Sequence, residues 1–293
     1  MIIGGLEAGG TKMVCAIGNE KGELIKRVAF KTRTPKETIP ELINFYKNEN
    51  IEALGIGSFG PIDLDEKSKT FGVIGNSPKV DWVGFNIYKA FKESLLVEVG
   101  IDTDVNGAAL GEVTWGAAKD AKIAIYITIG TGIGVGVCVD KKPLHGLTHL
   151  EAGHIIIRKD KRDDFEGVCP YHGDCFEGLA SGPAIEKRWK DKAYNLSNNN
   201  KVWDLQAEYI SQALVNYILT LSPNKIILWG GVMHQNQLFD LIRQKVQKHL
   251  NSYIKNDYIE NNIEKYIIAP MLGDDAGIKG ALRLGYLAKK QAI

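Results

Sequence analysis

The chain has 293 residues, 44% of them hydrophobic and 24% charged, which is enough for one large domain or for two lobes with separate cores. Its 36 basic residues face 35 acidic ones, a formal net charge of +1, so it has no bulk electrostatic footprint for nucleic acid and must recognise a charged ligand locally. No apolar run approaches the roughly 18 residues of a membrane span, the first ten residues lack the basic start of a signal peptide, and four cysteines are too few for a disulfide scaffold. Together these features point to the cytoplasm.

Ile2–Leu6 and Val14–Ile17 read as strands joined by Glu7-Ala8-Gly9-Gly10-Thr11-Lys12, with Leu24–Phe30 as a third. Thr34-Pro35-Lys36-Glu37 has the form of a capping box with proline at the first helical position, and Pro40 should make the early part of that helix irregular. Ala53–Ser58 is a buried strand ending at Phe59-Gly60-Pro61. Val97–Ile101 delivers Thr103-Asp104 to a helix expected from Asn106 to about Ala118. The pattern then restarts. Ile123–Ile129 and Val135–Val139 flank Gly130-Thr131-Gly132-Ile133-Gly134, which suggests an internal duplication of structure, with lobes at 1–117 and 118–293 and the last helix packing back on the first lobe. Helices are expected at Gly182–Lys192 and Gln206–Leu221, with a polar, linker-like Asn195–Lys201 between them. A strand at Lys225–Trp229 runs into Gly230-Gly231, and helices follow at Asn236–Leu250 and Asp275–Lys289.

Glycine turns at strand ends suit phosphate, because several backbone N–H groups can point at one anion. Three such turns occur, at Gly9–Lys12, at Gly130–Gly134 and at Gly230-Gly231-Val232. None is a Walker A loop, and none opens a helix as a dinucleotide fingerprint must. Turns that join strand to strand favour an actin-like ATPase arrangement instead. Phosphoryl transfer also needs a proton acceptor. Asp102 and Asp104 both lie at a strand end and would share a face of an extended strand, so spacing does not choose between them, and Asp104 could equally cap the following helix. Cys169-Pro170-Tyr171-His172-Gly173-Asp174-Cys175 offers three zinc-type ligands on one loop. His154, His145 and His149 are all chemically suitable as a fourth.

Glu7–Lys12, Asp104–Glu112, Ile129–Gly136, Glu151-Ala152-Gly153-His154 and Cys169–Gly182 resemble the motifs of the ROK family of sugar kinases and repressors, over residues 2 to about 285. Within that family the chain is most similar to bacterial fructokinases. The resemblance implies an α/β, actin-like ATPase (ribonuclease H-like) fold with two lobes around a nucleotide and sugar cleft. It also implies a Mg²⁺- and ATP-dependent hexose kinase that forms homodimers. Asp104 matches the general base, and Gly60, Pro61, Thr103, Asp104, Glu151, His154 and Glu177 the sugar contacts. Gly9, Gly10, Thr11, Lys12, Thr131, Gly132, Pro183, Gly231, Val232, Met233, His234 and Gln235 match the nucleotide contacts. His154, Cys169, His172 and Cys175 match a structural Zn²⁺ site. The chain departs from most relatives at Glu7, where aspartate is usual for magnesium, at Trp229, often glycine, and at His172, which stands in a Cys-x-x-His-x-x-Cys loop. The first phosphate motif begins almost at Met1, leaving no expected DNA-binding region of a repressor.

Overall fold

A computed structural model describes residues 1–292. They form two compact units, one made of Met1–Asp120, Gly136–Leu150 and the chain from Met271, the other of Ala121–Val135 and Glu151–Pro270.

The first unit opens with β1 (Ile2–Ala8), β2 (Lys12–Asn19) and β3 (Leu24–Lys31), followed by α1 (Pro35–Lys47), β4 (Ala53–Ser58), α2 (Ile87–Leu95), β5 (Glu98–Thr103) and α3 (Asp104–Trp115). The sheet order is β3-β2-β1-β4-β5, antiparallel across the first three strands and parallel from β1 to β4 to β5. The Glu37 carboxylate accepts from the Thr34 N–H at 3.3 Å and from its hydroxyl at 2.6 Å, fixing the start of α1. The helix runs unbroken through Pro40, contrary to the irregularity expected. Proline there removes one early backbone bond, while Ile39, Leu42 and Tyr46 anchor the helix face in the core. Leu6, Met13, Ile56, Trp82 and Phe91 fill the same core.

The chain continues through β6 (Ile123–Ile129), β7 (Ile133–Val139), β8 (Lys142–Pro143), α4 (Phe176–Ala180), α5 (Gly182–Trp189), α6 (Asn200–Leu221) and β9 (Lys225–Trp229). It ends with α7 (Gln237–Leu250), α8 (Asp257–Glu260), β10 (Ile267–Ile268) and α9 (Ala276–Gln291). The second sheet has the order β8-β7-β6-β9-β10, with β9 parallel to both β6 and β10. That is the order of the first sheet, so the duplication suggested by the strand and turn pattern exists in topology. Several boundaries differ from the sequence reading: β5 runs on to Thr103, α3 spans Asp104–Trp115, β7 starts at Ile133, α5 stops at Trp189, and α6 begins inside the asparagine run, where Asn199 caps it.

Helix α9 packs on β1, β4, β5 and α3 within the first unit. A Cβ at Gly55 would lie 1.7 Å from the Ala281 carbonyl, so this strand accepts the helix only because it has no side chain there. Among the described residues no helix is long and apolar enough to cross a membrane.

Candidate active site and metal centre

In the first unit, Ala8, Ser58 and Thr103 are aligned across β1, β4 and β5, so the segments that follow them leave the sheet along one edge. The carboxyl ends of parallel strands are where open α/β sheets gather ligands. The edge carries Gly9–Lys12, Phe59-Gly60-Pro61 and Asp104.

The β1–β2 turn closes as Gly9 N–H donates to the Lys12 carbonyl at 3.1 Å. Thr32 braces it, with its hydroxyl donating to the Gly9 carbonyl at 2.7 Å and its N–H to the Thr11 carbonyl at 3.0 Å. Thr11 and Lys12 are exposed. Lys79 lies over the turn, since a Cβ on Gly10 would sit 3.2 Å from its Cε. The Asn76–Lys79 segment therefore brings its lysine to this turn. Glu7 lies against Gly277 in the first turn of α9. Burial pushes its carboxyl above the usual range, although Arg27 and Lys12 act the other way.

Strand β5 ends at Thr103, which caps α3 by accepting the Asn106 N–H on Oγ1 at 3.1 Å. The capping role open to Asp104 in the sequence thus belongs to its neighbour. Asp104 is the first helical residue, half-buried, with Oδ1 accepting the Val105 N–H at 2.8 Å. Because it lies beyond the strand, it does not share a strand face with Asp102. Asp102 is buried, and its Oδ1 accepts from Thr103 N–H and Asn106 Nδ2, each at 2.7 Å. Gly60 and Pro61, joined by a cis peptide bond, are partly exposed.

In the second unit, Cys169 and Gly173 exchange backbone bonds of 3.2 and 3.0 Å, which closes the Cys-x-x-His loop. Cys175 caps α4, its sulfur accepting the Gly178 N–H at 3.5 Å. His154 arrives from the short 3₁₀ turn Ala152–His154. The ligand atoms of His154, Cys169, His172 and Cys175 all lie within 4.8 Å of one another. His154 Nδ1 is 3.6 Å from Cys169 Sγ and 3.5 Å from Cys175 Sγ, and His172 Nδ1 is 3.6 Å from Cys169 Sγ. A tetrahedral ion with ligands at about 2.3 Å for sulfur and about 2.0 Å for nitrogen requires a sulfur–nitrogen edge of about 3.6 Å. Donor types and spacing therefore fit a zinc-type cation. Burial pushes the Cys175 thiol up to about 11, so without a cation it keeps its proton at neutral pH. The other candidate ligands are engaged elsewhere: His145 Nε2 lies 3.0 Å from the Asp102 carboxylate, and His149 Nε2 accepts the Ile62 N–H at 3.2 Å.

Glu177, two residues beyond Cys175, links this cage to the β6–β7 turn. Its Oε2 accepts the Ile133 N–H at 2.8 Å, and a Cβ on Gly132 would lie 2.7 Å from that oxygen, which only glycine tolerates. Its Oε1 faces His154 Nε2 at 3.9 Å. A histidine with one nitrogen towards a metal position and the other towards a carboxylate is the usual outer-shell arrangement. Gly182 N–H donates to the Gly130 carbonyl at 2.7 Å, which sets Pro183, at the start of α5, beside the turn. Thr131 and Glu151 are exposed. Beyond β9, Gly230 at φ +98° turns the chain into the 3₁₀ segment Gly231–His234, which leads to Gln235. Val232 and Met233 are buried, whereas His234 is exposed with its ring 5.4 Å from that of Trp229.

Two sheets of one actin-like strand order, with glycine turns at strand ends and a cysteine–histidine cage, define a two-lobed sugar-kinase type of α/β protein. The chain belongs to the ROK family, whose profile matches residues 3–289. It is 41% identical to the fructokinase of Pediococcus pentosaceus over 292 residues, covering 100% of both chains. With the fructokinase of Zymomonas mobilis subsp. mobilis it is 41% identical over 300 aligned residues, 99% of this chain and 98% of the other. The ROK hexokinase from Thermus thermophilus has the same fold, with a TM-score of 0.80 at 25% identity over 99% of this chain and 100% of that one.

Proposed function

We propose that this chain is a cytoplasmic, homodimeric, ATP-dependent hexose kinase whose preferred acceptor is fructose, phosphorylated on its 6-hydroxyl. The observation that carries the reading is the placement of Asp104. It heads α3 half-buried, is relieved of capping by Thr103, and stands on the strand edge that also carries the Gly9–Lys12 turn and the Gly60-Pro61 loop. Full-length identity of 41% to two fructokinases supports the acceptor. Free thiols at Cys15, Cys138, Cys169 and Cys175 suit a reducing compartment.

In the proposed reaction the sugar O6 attacks the γ-phosphorus of Mg-ATP while its proton passes to Asp104. The bond from phosphorus to the bridging oxygen breaks, and ADP leaves. Main-chain N–H groups of the Gly9–Lys12 and Thr131-Gly132 turns offset charge on the phosphates. Pro183 and Gly231–Gln235 take the adenosine, while Gly60, Pro61, Thr103, Glu151, His154 and Glu177 hold the sugar. His154, Cys169, His172 and Cys175 hold zinc. Bound by these four side chains, the ion would supply a cross-link and no acid chemistry. That cross-link orients Glu177 and, through it, the Gly132-Ile133 backbone.

ADP production with fructose, glucose, mannose and N-acetylmannosamine at equal concentration tests the reading. The highest kcat/KM is expected with fructose, with fructose 6-phosphate as product. Glucose or an amino sugar ahead by tenfold overturns the acceptor and leaves the kinase standing.

A further inference from the structure

His145 and His149 belong neither to the cage nor to the proposed sugar contacts. Both lie on the short segment after β8, which is itself a small hairpin. Leu144 N–H donates to the Val137 carbonyl at 2.8 Å, Gly146 N–H to the Thr148 carbonyl at 3.1 Å, and His145 and His149 face each other as an antiparallel bridge. The histidines at its base reach two different parts of the same unit.

His145 Nε2 lies 3.0 and 3.1 Å from the two Asp102 carboxylate oxygens and so donates to them. That carboxylate also receives Thr103 N–H and Asn106 Nδ2, two groups that bracket Asp104 in sequence. The Asn106 Oδ1 is buried without a hydrogen-bond partner among the described residues, so the amide is held from its nitrogen side. Asp102, 2% exposed, is therefore the hub of the turn, and His145 is the cation-capable donor on it. His149 works in the opposite sense. Its Nε2 accepts the Ile62 N–H at 3.2 Å, so the ring proton sits on Nδ1, which faces the Leu150 carbonyl at 3.4 Å. Its Cε1 lies 3.5 Å from where a Cβ on Gly60 would be.

We propose that Leu144–Leu150 is a positioning strap for the kinase site, in which His145 fixes the base-bearing turn through Asp102 and His149 fixes the Gly60-Pro61-Ile62 loop. The inference rests on reading Asp104 as the base and the Gly60-Pro61 loop as a sugar contact. A base displaced by about 1 Å costs roughly a hundredfold in turnover, whereas a displaced sugar loop weakens ground-state binding. One segment then has two kinetic signatures.

The test uses full-length protein carrying His145→Ala, His145→Gln, His149→Ala and His149→Gln, with metal content and melting temperature measured on each. The expected result for His145→Ala is a kcat lower by about 10- to 100-fold with the fructose KM within about threefold. Glutamine, whose amide still donates to Asp102, should recover most of that loss. For His149→Ala a fructose KM higher by about tenfold is expected, with kcat within about threefold, and glutamine, which can still accept from Ile62, should restore it. The idea is overturned if folded, metal-replete alanine variants melt lower but keep both constants, which is the mark of a structural staple. It is also overturned if His145→Gln folds normally yet is as slow as His145→Ala. Should His145→Ala not fold, the glutamine variant carries the test: near-normal kcat supports the strap, and a loss beyond tenfold at normal melting temperature overturns it. Asp104→Asn assayed alongside separates the two ideas. Full turnover in that variant sinks the base assignment, whereas an inactive Asp104→Asn beside a normal His145→Ala sinks the strap alone.

Discussion

The two sheets share a strand order, but the first turn of each and the carboxylate beside it are braced by different means. In the first, Thr32 braces the β1–β2 turn, and Asp104 stands in a net of ordinary hydrogen bonds formed by Asp102, Thr103, Asn106 and His145. In the second, Glu177 itself braces the β6–β7 turn, and its other oxygen faces His154, one of a cage of two thiols and two imidazoles. A hydrogen-bonded net is complete once the chain folds. A cage with a protonated Cys175 is complete only when a cation takes the proton's place. Equivalent edges of one topology should therefore differ in what disables them: single atoms in the first unit, loss of metal in the second.

The sharpest break comes from Asp104→Asn. The amide keeps the shape but cannot accept the sugar proton, so turnover should fall by roughly 10²–10⁴-fold. The melting temperature should stay within a few degrees, because Thr103 still caps α3. Single-turnover kinetics with fructose measure the loss, and a folded variant of near-normal rate would remove Asp104 from the reaction. Next in size, Cys175→Ser should lose bound zinc, melt about 10 °C lower and lose at least about tenfold in activity. Chelation of the unmodified protein should reproduce this. Elemental analysis that finds no zinc in protein purified without chelator would end the comparison.

Features made by local spacing were legible in the sequence. The strand-turn-strand repeats gave both hairpins, and three ligands within seven residues announced the cage. Other features depend on partners that sequence does not bring together. Three histidines suited the fourth ligand position, and only the fold sends His145 to a residue 43 positions away and His149 to one 87 away. The α2 helix escaped notice because it buries only Ile87 and Phe91 and begins at an asparagine cap without an acidic first turn. The start of α6 was hidden for a related reason: asparagines that read as a linker supply its cap. Asp104 looked like a cap because Thr103 and Asp104 are both good capping residues, and where β5 ends decides between them.

A milder substitution separates the cage from the turn it supports. Glu177→Gln keeps an oxygen to accept the Ile133 N–H but removes the charge facing His154. A hydrogen bond to a charged acceptor outweighs a neutral one by about 1 kcal/mol, so a fall of roughly fivefold in kcat/KM is expected with zinc retained. If the variant loses its metal as fully as Cys175→Ser, Glu177 belongs to the cage more than to the turn, and the two supports are one.

The smallest effect tests the first unit's net through pH. The hydrogen bond to Asp102 raises the His145 pKa above the ordinary 6.5, with burial opposing it. The groups facing the ring are Asp102 from β5 and Asn106 from α3. The nearby Cys138 thiol on β7, pushed up by burial and by Asp102, stays neutral. Below pH 6.5 the imidazole is protonated in both the folded and the unfolded chain, and its contribution to stability is complete. As pH rises past 6.5 the unfolded chain releases its proton first, so the contribution shrinks until the folded-state pKa is passed. The ring is 39% exposed, so screening trims the effect to on the order of 1–2 °C in melting temperature. The difference in melting temperature between the unmodified protein and His145→Ala, followed from about pH 5.5 to 9, should therefore be largest in acid and decline with rising pH. A difference that stays flat would mean that the Asp102 bond does not depend on the imidazolium charge, and the net would then be held by shape alone.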